Sequence, residues 1–206
     1  MVGIRSLRQF SSRSRDRALL QITISGATRS GKSTLTKNLK KKLRETNRKV
    51  ISIHLDNYRA YTLGGIRVVD ELGRRNWETS NNINFEALLL DLKKAKENAD
   101  VVLMEGFCVL ENKTIRETSH IVFHLDISKD QCRERRRRSK NSHPSKDWTF
   151  DQYFDEVIWP VHLEYKSRLH GSWKNDLYSL NIIDSCTIEH AEKIAVQKIE
   201  EYLHCN

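Results

Sequence analysis

The sequence predicts an α/β fold in which five parallel strands form one sheet that helices cover on both faces. Five short apolar segments rich in β-branched residues alternate along the chain with segments of helical periodicity. Strands that are apolar throughout must be buried on both faces, and a parallel sheet flanked by helices provides that environment. A glycine-containing loop between the first strand and the first helix also fits this class. The predicted strands are Leu19–Ser25, Val50–Leu55, Asp100–Glu105, His120–Asp126 and Tyr178–Asp184.

Segments of helical periodicity lie between and after these strands. In the first of them leucines recur every four residues, at Leu35, Leu39 and Leu43, as one buried helix face requires. Two long segments lack such periodicity, Asn57–Asn82 and Asn141–Thr149, and irregular segments of that length are usually lids or binding loops. The predicted helices are Ser33–Asn47, Ile83–Asn98, Ser128–Lys140, Phe150–His170 and Thr187–Leu203, the fourth interrupted by Pro160.

Composition indicates one globular domain with an uneven distribution of charge. The 206 residues include 36 basic and 27 acidic side chains, a net charge of +9. The excess is concentrated in the first 18 residues and in the arginine run Arg133–Arg138, and the phosphates of one nucleotide would explain the second cluster as well as nucleic acid would. No apolar run approaches the roughly 20 residues of a membrane span. The four cysteines are scattered without a CxxC pair, which argues against a disulfide framework and a zinc site and favours a reducing compartment.

The N-terminal residues 1–18 differ in composition from the rest of the chain. They are rich in arginine and serine, and Asp16 is their one acid. We expect either a disordered basic extension, which we prefer, or a mitochondrial transit peptide. Residues 19–206 then form the folded domain. The expected compartment is the cytoplasm, with or without the nucleus, and the mitochondrion if the segment is a transit peptide.

The most specific motif is a phosphate-binding loop between the first predicted strand and the first predicted helix. Gly26 is followed, after four residues, by Gly31, Lys32 and Ser33. Glycines let consecutive N–H groups turn toward phosphate oxygens, and the helix N-terminus adds its positive dipole end. The lysine can reach the β- and γ-phosphates of a nucleoside triphosphate, and the serine hydroxyl can ligate Mg²⁺. The predicted nucleotide-binding residues of this P-loop are Gly26, Ala27, Thr28, Arg29, Ser30, Gly31, Lys32, Ser33 and Thr34.

Two acids follow predicted strands at the edge where ligands bind in open α/β sheets. Glu105 ends the third strand, where a carboxylate can hold Mg²⁺ directly or through water. Asp56 follows the second strand, where an acceptor hydroxyl would be oriented and would lose its proton. Either acid could instead be a turn residue that ends its strand. We take Asp56, Lys32 and Glu105 as candidate catalytic residues, and Ser33 and Asp56 as candidate metal ligands.

The arginine run lies on a predicted helix, so its members point in different directions. Residues three or four apart share a face, which allows at most two or three of these arginines to face a nucleotide. Those could neutralise charge on a transferring phosphoryl group, while the others would form a solvated basic face. An RNA-binding patch is a weaker alternative, because no aromatic side chains interleave with the run to stack bases.

Beyond the phosphate loop, two segments carry a resemblance to a known family. The tripeptide EGF at Glu105–Phe107 and the segment YFDEVIWPVHLEY at Tyr153–Tyr165 are similar to those of the nicotinamide riboside kinases, within the uridine kinase group of P-loop kinases. The resemblance covers almost everything after residue 20. It implies a P-loop NTPase-type fold with a mobile arginine-bearing lid. It also implies transfer of the ATP γ-phosphate to the 5′-hydroxyl of a ribonucleoside, with Mg²⁺ as cofactor.

The resemblance further implies roles for individual residues. Asp56 would be the general base close to Mg²⁺, with Asn57 and Tyr58 in the same substrate segment. Trp77 would stack on the base and Glu78 would bind the ribose hydroxyls, and the chemistry agrees, because an indole face suits a cationic nicotinamide ring and a carboxylate accepts from hydroxyls. The remaining implied contacts are Arg135 and Arg137 with ATP, Arg136 with the substrate, and Thr187, Ile188 and Glu189 near the adenine.

Several positions depart from the family pattern and leave the identity of the acceptor open. The family often has an acidic pair where this chain has Asp56-Asn57. The family has Tyr-Asp where this chain has Trp77-Glu78, so we expect a larger pocket here and a carboxylate that reaches further. An extra arginine at Arg137 makes the register of the arginine helix ambiguous by a residue or two.

The leading hypothesis is therefore a ribonucleoside kinase that acts most readily on nicotinamide riboside, a step in NAD biosynthesis. A uridine or cytidine kinase is the alternative within the same class. A nucleotide-dependent regulatory or RNA-binding P-loop protein is the alternative from another class. The expected partners are a nucleoside and ATP, without nucleic acid or membrane. The sequence does not decide between a monomer and a homodimer, or whether GTP can replace ATP.

Overall fold

The computed structural model describes residues 18–59, 78–139, 149–177, 179–184 and 187–205. The N-terminal extension, Trp77 and most of the two long irregular segments lie outside these residues, so the domain division and the mobile lid stay predictions. The strands are β1 (Leu20–Gly26), β2 (Val50–His54), β3 (Val101–Glu105), β4 (Ile121–Asp126) and β5 (Leu180–Asp184). The helices are α1 (Lys32–Arg44), α2 (Phe85–Asn98), α3 (Lys113–Thr118), α4 (Lys129–Arg137), α5 (Phe150–Tyr153), α6 (Trp159–His170) and α7 (Ile188–Cys205).

All five strands join one sheet in the order β2-β3-β1-β4-β5, and every neighbouring pair is parallel. The predicted five-stranded parallel sheet is therefore confirmed. The central strand β1 is buried along its whole length, as its apolar sequence requires. Glu105 is the register partner of Ile24 on one side and of His54 on the other. The carboxyl ends of β1, β2 and β3 consequently meet at one edge of the sheet.

Helices cover both faces of the sheet, and each face has its own apolar cluster. The predicted leucine stripe of α1 is confirmed, because Leu35, Leu39 and Leu43 are buried with the apolar side of α7. The other face buries residues of α2 and α6, among them Leu88 and Tyr165. Among the described helices, none combines the length and the apolar character that crossing a membrane would take.

The segment predicted as one helix from Phe150 to His170 contains a wide turn. Thr149 starts it with a capping box, and α5 is followed by a π-helical turn over Phe154–Ile158 in which the Trp159 N–H donates to the Phe154 carbonyl. Pro160 lies at the start of α6. Proline has no N–H to donate and its ring crowds the preceding turn, which accounts for the irregularity at this point.

Candidate active site

The phosphate loop connects the end of β1 to the start of α1. Gly26 and Gly31 have φ angles of 142° and 104°, values that side chains rarely allow. A Cβ on Gly26 would lie 2.5 Å from the Leu125 carbonyl oxygen, so this position accepts glycine alone. Gly31 is the N-cap residue of α1 and supplies no side-chain cap. The N–H groups of the first helical turn therefore remain available to an anion, as nucleotide binding requires.

Lys32 lies inside the loop that precedes it. Its ammonium donates to the Ala27 carbonyl oxygen at 2.7 Å, and the residue is only 8% exposed. Burial lowers the pKa of Lys32, and the nearby carboxylates of Glu105, Asp56 and Glu78 oppose that change. The loop thus holds a buried cation whose hydrogen-bond partner is a neutral carbonyl. Phosphate oxygens would replace this carbonyl with an anionic hydrogen-bond partner.

Three polar side chains meet where β3 ends. The Ser33 hydroxyl donates to Oε1 of Glu105 at 3.0 Å, and Nδ1 of His54 lies 2.8 Å from the same oxygen. Glu105 is buried at 6% exposure, whereas Ser33 is exposed toward the loop. A hydroxyl beside a carboxylate supplies the oxygen ligands that Mg²⁺ prefers, so the donor set fits that ion.

Asp56 lies at the same edge, on the 3₁₀ turn Leu55–Tyr58 that follows β2. Its side chain is 72% exposed, and its Oδ1 accepts from Nε of Arg59 at 3.0 Å. Asn57 is exposed as well. The Tyr58 hydroxyl donates to Asp91 at 2.9 Å, and partial burial together with that bond raises the pKa of Tyr58 to about 12. The Tyr58 hydroxyl is therefore directed to α2, while the Asp56 carboxylate remains accessible to a substrate.

The EGF segment packs directly against this turn. A Cβ on Gly106 would lie 2.4 Å from the Cβ of Leu55 and 2.6 Å from its Cδ2. The guanidinium of Arg59 lies over the Phe107 ring, 5.1 Å from its centroid. Gly106 therefore permits the close approach of the two segments, and this approach fixes the turn that carries Asp56.

Two arginines of α4 contact the phosphate loop. Nη1 of Arg136 donates to Oγ1 of Thr28 at 2.7 Å, and its Nη2 donates to Oε1 of Glu78 at 3.2 Å. Arg135 reaches the carbonyl oxygen of Arg29 at 3.5 Å. The two predicted arginines Arg135 and Arg136 therefore lie beside the loop that would hold the phosphates.

The structure does not bring Arg137 to the loop. Arg137 pairs with Asp151 at 2.5 Å and lies over the Phe150 ring. Arg133 points the same way, with Asp155 as its partner. Arg138 pairs with Glu134 on its own helix. The predicted contact of Arg137 with ATP is therefore not part of this arrangement, in which Arg137 packs against α5.

Glu78 borders a narrow cleft beside the phosphate loop. It is 6% exposed and contacts Arg136, and residues of the loop, of the segment after β3 and of α6 complete the lining. Its predicted partner Trp77 lies outside the described residues. A buried carboxylate at this place suits a ligand with hydroxyl groups. The cleft is lined by Gly26, Ala27, Thr28, Glu78, Phe107, Cys108, Glu111, Ile158, Val161, His162 and Tyr165.

The start of α7 lies next to Gly31 of the phosphate loop. The Cδ1 atom of Ile188 is 3.6 Å from the position that a Cβ on Gly31 would occupy. Thr187 caps the helix by accepting from the His190 N–H, and Glu189 is exposed. Of the three residues expected near the adenine, Ile188 is thus adjacent to the loop.

Sequence reasoning did not single out His54, although it contacts Glu105 as closely as Ser33 does. One signal was present. His54 ends β2 in the strand next to β3, and residues at the ends of neighbouring parallel strands lie side by side. The sequence does not show that β2 and β3 are neighbours in the sheet, and this strand order is what brings His54 next to Glu105.

The central parallel strand, the phosphate loop that follows it and the acid at the end of the neighbouring strand define a P-loop fold of the α/β class. No family model matches the chain. It is 27% identical to human nicotinamide riboside kinase 1 over 169 residues, which are 74% of this chain and 80% of that protein. It is 26% identical to the uridine kinase of Clostridium tetani over 170 residues, 70% of this chain and 79% of the other.

Solved structures agree on the fold. The shikimate kinase of Bacteroides thetaiotaomicron superposes with a TM-score of 0.54 at 20% identity, covering 91% of this chain and 99% of the other. The relatives found by sequence confirm the resemblance predicted above. The chain is similar to the nicotinamide riboside kinases and the uridine kinases.

Proposed function

We propose that this chain is an ATP-dependent kinase that phosphorylates the 5′-hydroxyl of a ribonucleoside, with nicotinamide riboside as its preferred acceptor. One observation carries the proposal. Lys32 with Ser33, Asp56, Glu105 and Arg136 come from four separate places in the sequence and lie at one edge of the sheet, around the phosphate loop. Phosphoryl transfer requires a phosphate cradle, a metal site, a residue that orients the nucleophile and cations for the transferring group, and these residues provide each of them.

The loop and its neighbours would hold the nucleotide. Lys32 would exchange the Ala27 carbonyl for phosphate oxygens, and Arg135 and Arg136 would add positive charge where the transferred group leaves. Ser33 and Glu105 would hold Mg²⁺, with Asp56 close by. When bound, the ion offsets the charge of the phosphates.

The Asp56 carboxylate would orient the acceptor hydroxyl and accept its proton. Its exposure leaves it accessible, and the Leu55–Gly106 contact fixes its turn. Much of the rate gain in such a reaction comes from positioning, because little covalent chemistry is asked of the protein. Glu78 would bind ribose hydroxyls, and Arg136 ties Glu78 to Thr28 of the phosphate loop. Trp77, next to Glu78 in sequence, would stack on the base.

The relatives support a ribonucleoside as the acceptor more strongly than they support any particular base on it. One is named for nicotinamide riboside and the other for uridine, and both acceptors carry a ribose. An RNA-binding role gains less support, because Arg133, Arg137 and Arg138 are paired with acidic side chains. These pairs reduce the basic field that non-specific nucleic-acid binding needs.

A phosphorylation assay on a nucleoside panel tests the proposal. The panel holds nicotinamide riboside, nicotinic acid riboside, uridine and cytidine, with product masses and ADP release as readouts. Asp56→Asn should lower turnover by roughly 10²–10⁴-fold, the contribution of a general base. Asp100→Asn is the matched control, since Asp100 accepts from the Lys49 N–H at the opposite edge of the sheet. If ATP binds and no acceptor is phosphorylated, the kinase proposal is wrong.

The base specificity needs a separate experiment. Trp77→Ala should raise the KM for nicotinamide riboside far more than the KM for ATP, because stacking on a cationic ring is lost. Equal effects on the two substrates would contradict the stacking role. A wild-type preference for uridine would keep the mechanism and replace the acceptor.

A further inference from the structure

A second polar cluster lies where β4 meets α6. His124 is fully buried in β4, His162 is 6% exposed on α6, and Asp126 is half-buried at the end of β4. One potential ligand atom from each of the three lies within 4.8 Å of the other two. His162 also lines the cleft beside Glu78, but the proposed phosphoryl transfer assigns no role to any of the three side chains.

The two imidazoles have nitrogen atoms that nothing among the described residues satisfies. Nε2 of His124 and Nε2 of His162 are both buried without a hydrogen-bond partner there. Buried polar atoms in this state cost free energy and are uncommon in native proteins. The ring planes are 6° apart and their centroids 5.8 Å apart, and because each nitrogen lone pair lies in the plane of its ring, one ring must turn for both to reach the same ion. Two unsatisfied nitrogen atoms in one small region point to a shared ligand.

A hydrogen bond at one ring nitrogen of His124 leaves its other ring nitrogen for a ligand. Nδ1 of His124 lies 2.9 Å from the Ser25 hydroxyl. If Nδ1 carries the proton and donates it to that hydroxyl, Nε2 has a free lone pair, and such an outer hydrogen bond is typical of metal-bound histidines.

We propose that His124, His162 and Asp126 bind one divalent transition-metal ion of the zinc class. Two imidazoles and a carboxylate are a donor set that Zn²⁺ takes, whereas Mg²⁺ prefers oxygen ligands throughout. A cavity of about 430 Å³, bordered by Asp126, His162, Trp159 and Lys166, leaves room for water as a fourth ligand. The cysteine spacing that argued against a zinc site does not bear on these ligands, which include no cysteine.

Lys166 competes with the ion. Its ammonium pairs with Oδ2 of Asp126 at 2.5 Å, and its side chain is 33% exposed. The lysine can therefore leave the carboxylate for solvent when a metal ion arrives, and this exchange weakens the affinity. Lys166→Met should accordingly bind the ion several-fold more tightly than the wild type.

The proposed metal site would link β4 and α6, two elements that also position parts of the candidate active site. β4 leads through Ile127 and Ser128 into α4, the helix of Arg135 and Arg136, and α6 lines the cleft beside Glu78. An ion held by both elements would stabilise the folded chain. Because binding to the folded state alone adds stability that grows with ligand concentration, Zn²⁺ should raise the Tm in a concentration-dependent manner.

The test uses the full chain, freed of metal by a chelator and kept without ATP and Mg²⁺. Co²⁺ titration should give visible absorption with one equivalent per chain, and Zn²⁺ should displace it and raise the Tm. His162→Gln and His124→Gln should each lower the affinity at least tenfold. Asp126→Asn should do the same, and it keeps the test decisive if a histidine variant fails to fold, because Asp126 is half-buried at a strand end.

Two controls separate this site from others. His54→Gln removes the side chain beside Glu105 in the candidate active site, and a His204→Gln/Cys205→Ser variant removes exposed donors at the C-terminal end of α7. Both should bind Co²⁺ like the wild type. The proposal is overturned if the wild type binds no Co²⁺ or Zn²⁺, if a control variant loses the binding, or if excess Mg²⁺ displaces the ion.

Discussion

Replacing Gly106 with alanine should test how the EGF segment supports the candidate base. The new Cβ would lie 2.4 Å from the Cβ of Leu55, about 1 Å closer than ordinary contact, and Leu55 is 1% exposed. Because interiors are close-packed, the turn must move or the core must strain, at a cost of about 1–3 kcal/mol in the free energy of unfolding. For a chain of this size each kcal/mol lowers the Tm by about 2–4 °C.

The same displacement should reach the chemistry, because Leu55 directly precedes Asp56. A shift of about 1 Å in a positioning residue can lower the rate roughly 10²-fold. We expect Gly106→Ala to reduce kcat for nucleoside phosphorylation while the affinity for ATP stays close to that of the wild type. Urea unfolding and steady-state kinetics on the same preparation measure the two effects.

A double-mutant cycle with Leu55→Ala provides the control. Leu55→Ala removes Cδ2, one of the atoms that the Cβ of Gly106→Ala would meet, and keeps Cβ. If the two side chains collide, the effects of Gly106→Ala and Leu55→Ala on the free energy of unfolding should therefore not add. Free energies of unfolding that add within about 0.5 kcal/mol would refute the reasoning. So would wild-type stability and turnover in Gly106→Ala alone.

Three further predictions concern the loop, the arginine helix and the substrate turn. Arg136→Met should lower kcat roughly 10²–10³-fold, as loss of a donor to developing charge does. Arg137→Met should leave the kinetics nearly unchanged, because it loses an exposed ion pair with Asp151 and a contact with the Phe150 ring, both away from the phosphate loop. Ser33→Ala should raise the Mg²⁺ concentration needed for half-maximal turnover roughly 10–100-fold, the range for residues that support a metal site. Tyr58, with its pKa raised to about 12, should add stability that is complete below about pH 10 and is lost as the pH rises through 12. Tyr58→Phe should lack that alkaline decline in urea midpoints.

The strands and the phosphate loop could be predicted because their signals are local. A short apolar run between helical segments is best buried as a strand of a parallel sheet, and all five predicted runs are strands of one parallel sheet. The four-residue spacing of the leucines in α1 likewise predicts which face of that helix is buried. α3, over Lys113–Thr118, was missed because six mostly polar residues are too few to show helical periodicity.

Features that depend on how elements meet could not be predicted. Helical spacing divides the arginines among the faces of α4, but it does not show which face contacts the phosphate loop. That depends on how α4 packs: Cys132 is buried, and Arg133 and Arg137 consequently point toward acids near α5. The sequence places His124 on a strand and His162 on a helix, some forty residues apart, without indicating that they stack.

The π-helical turn at Phe154–Ile158 adds one residue relative to a regular α-helix. Each residue of an α-helix advances by about 100°, so this extra residue rotates all of α6 by that angle relative to an uninterrupted helix. Only in the rotated setting does the Tyr165 hydroxyl meet the Leu110 N–H at 3.1 Å and the His162 ring lie beside that of His124. A one-residue deletion in the turn would leave α6 a helix and direct each of its side chains to the wrong neighbour.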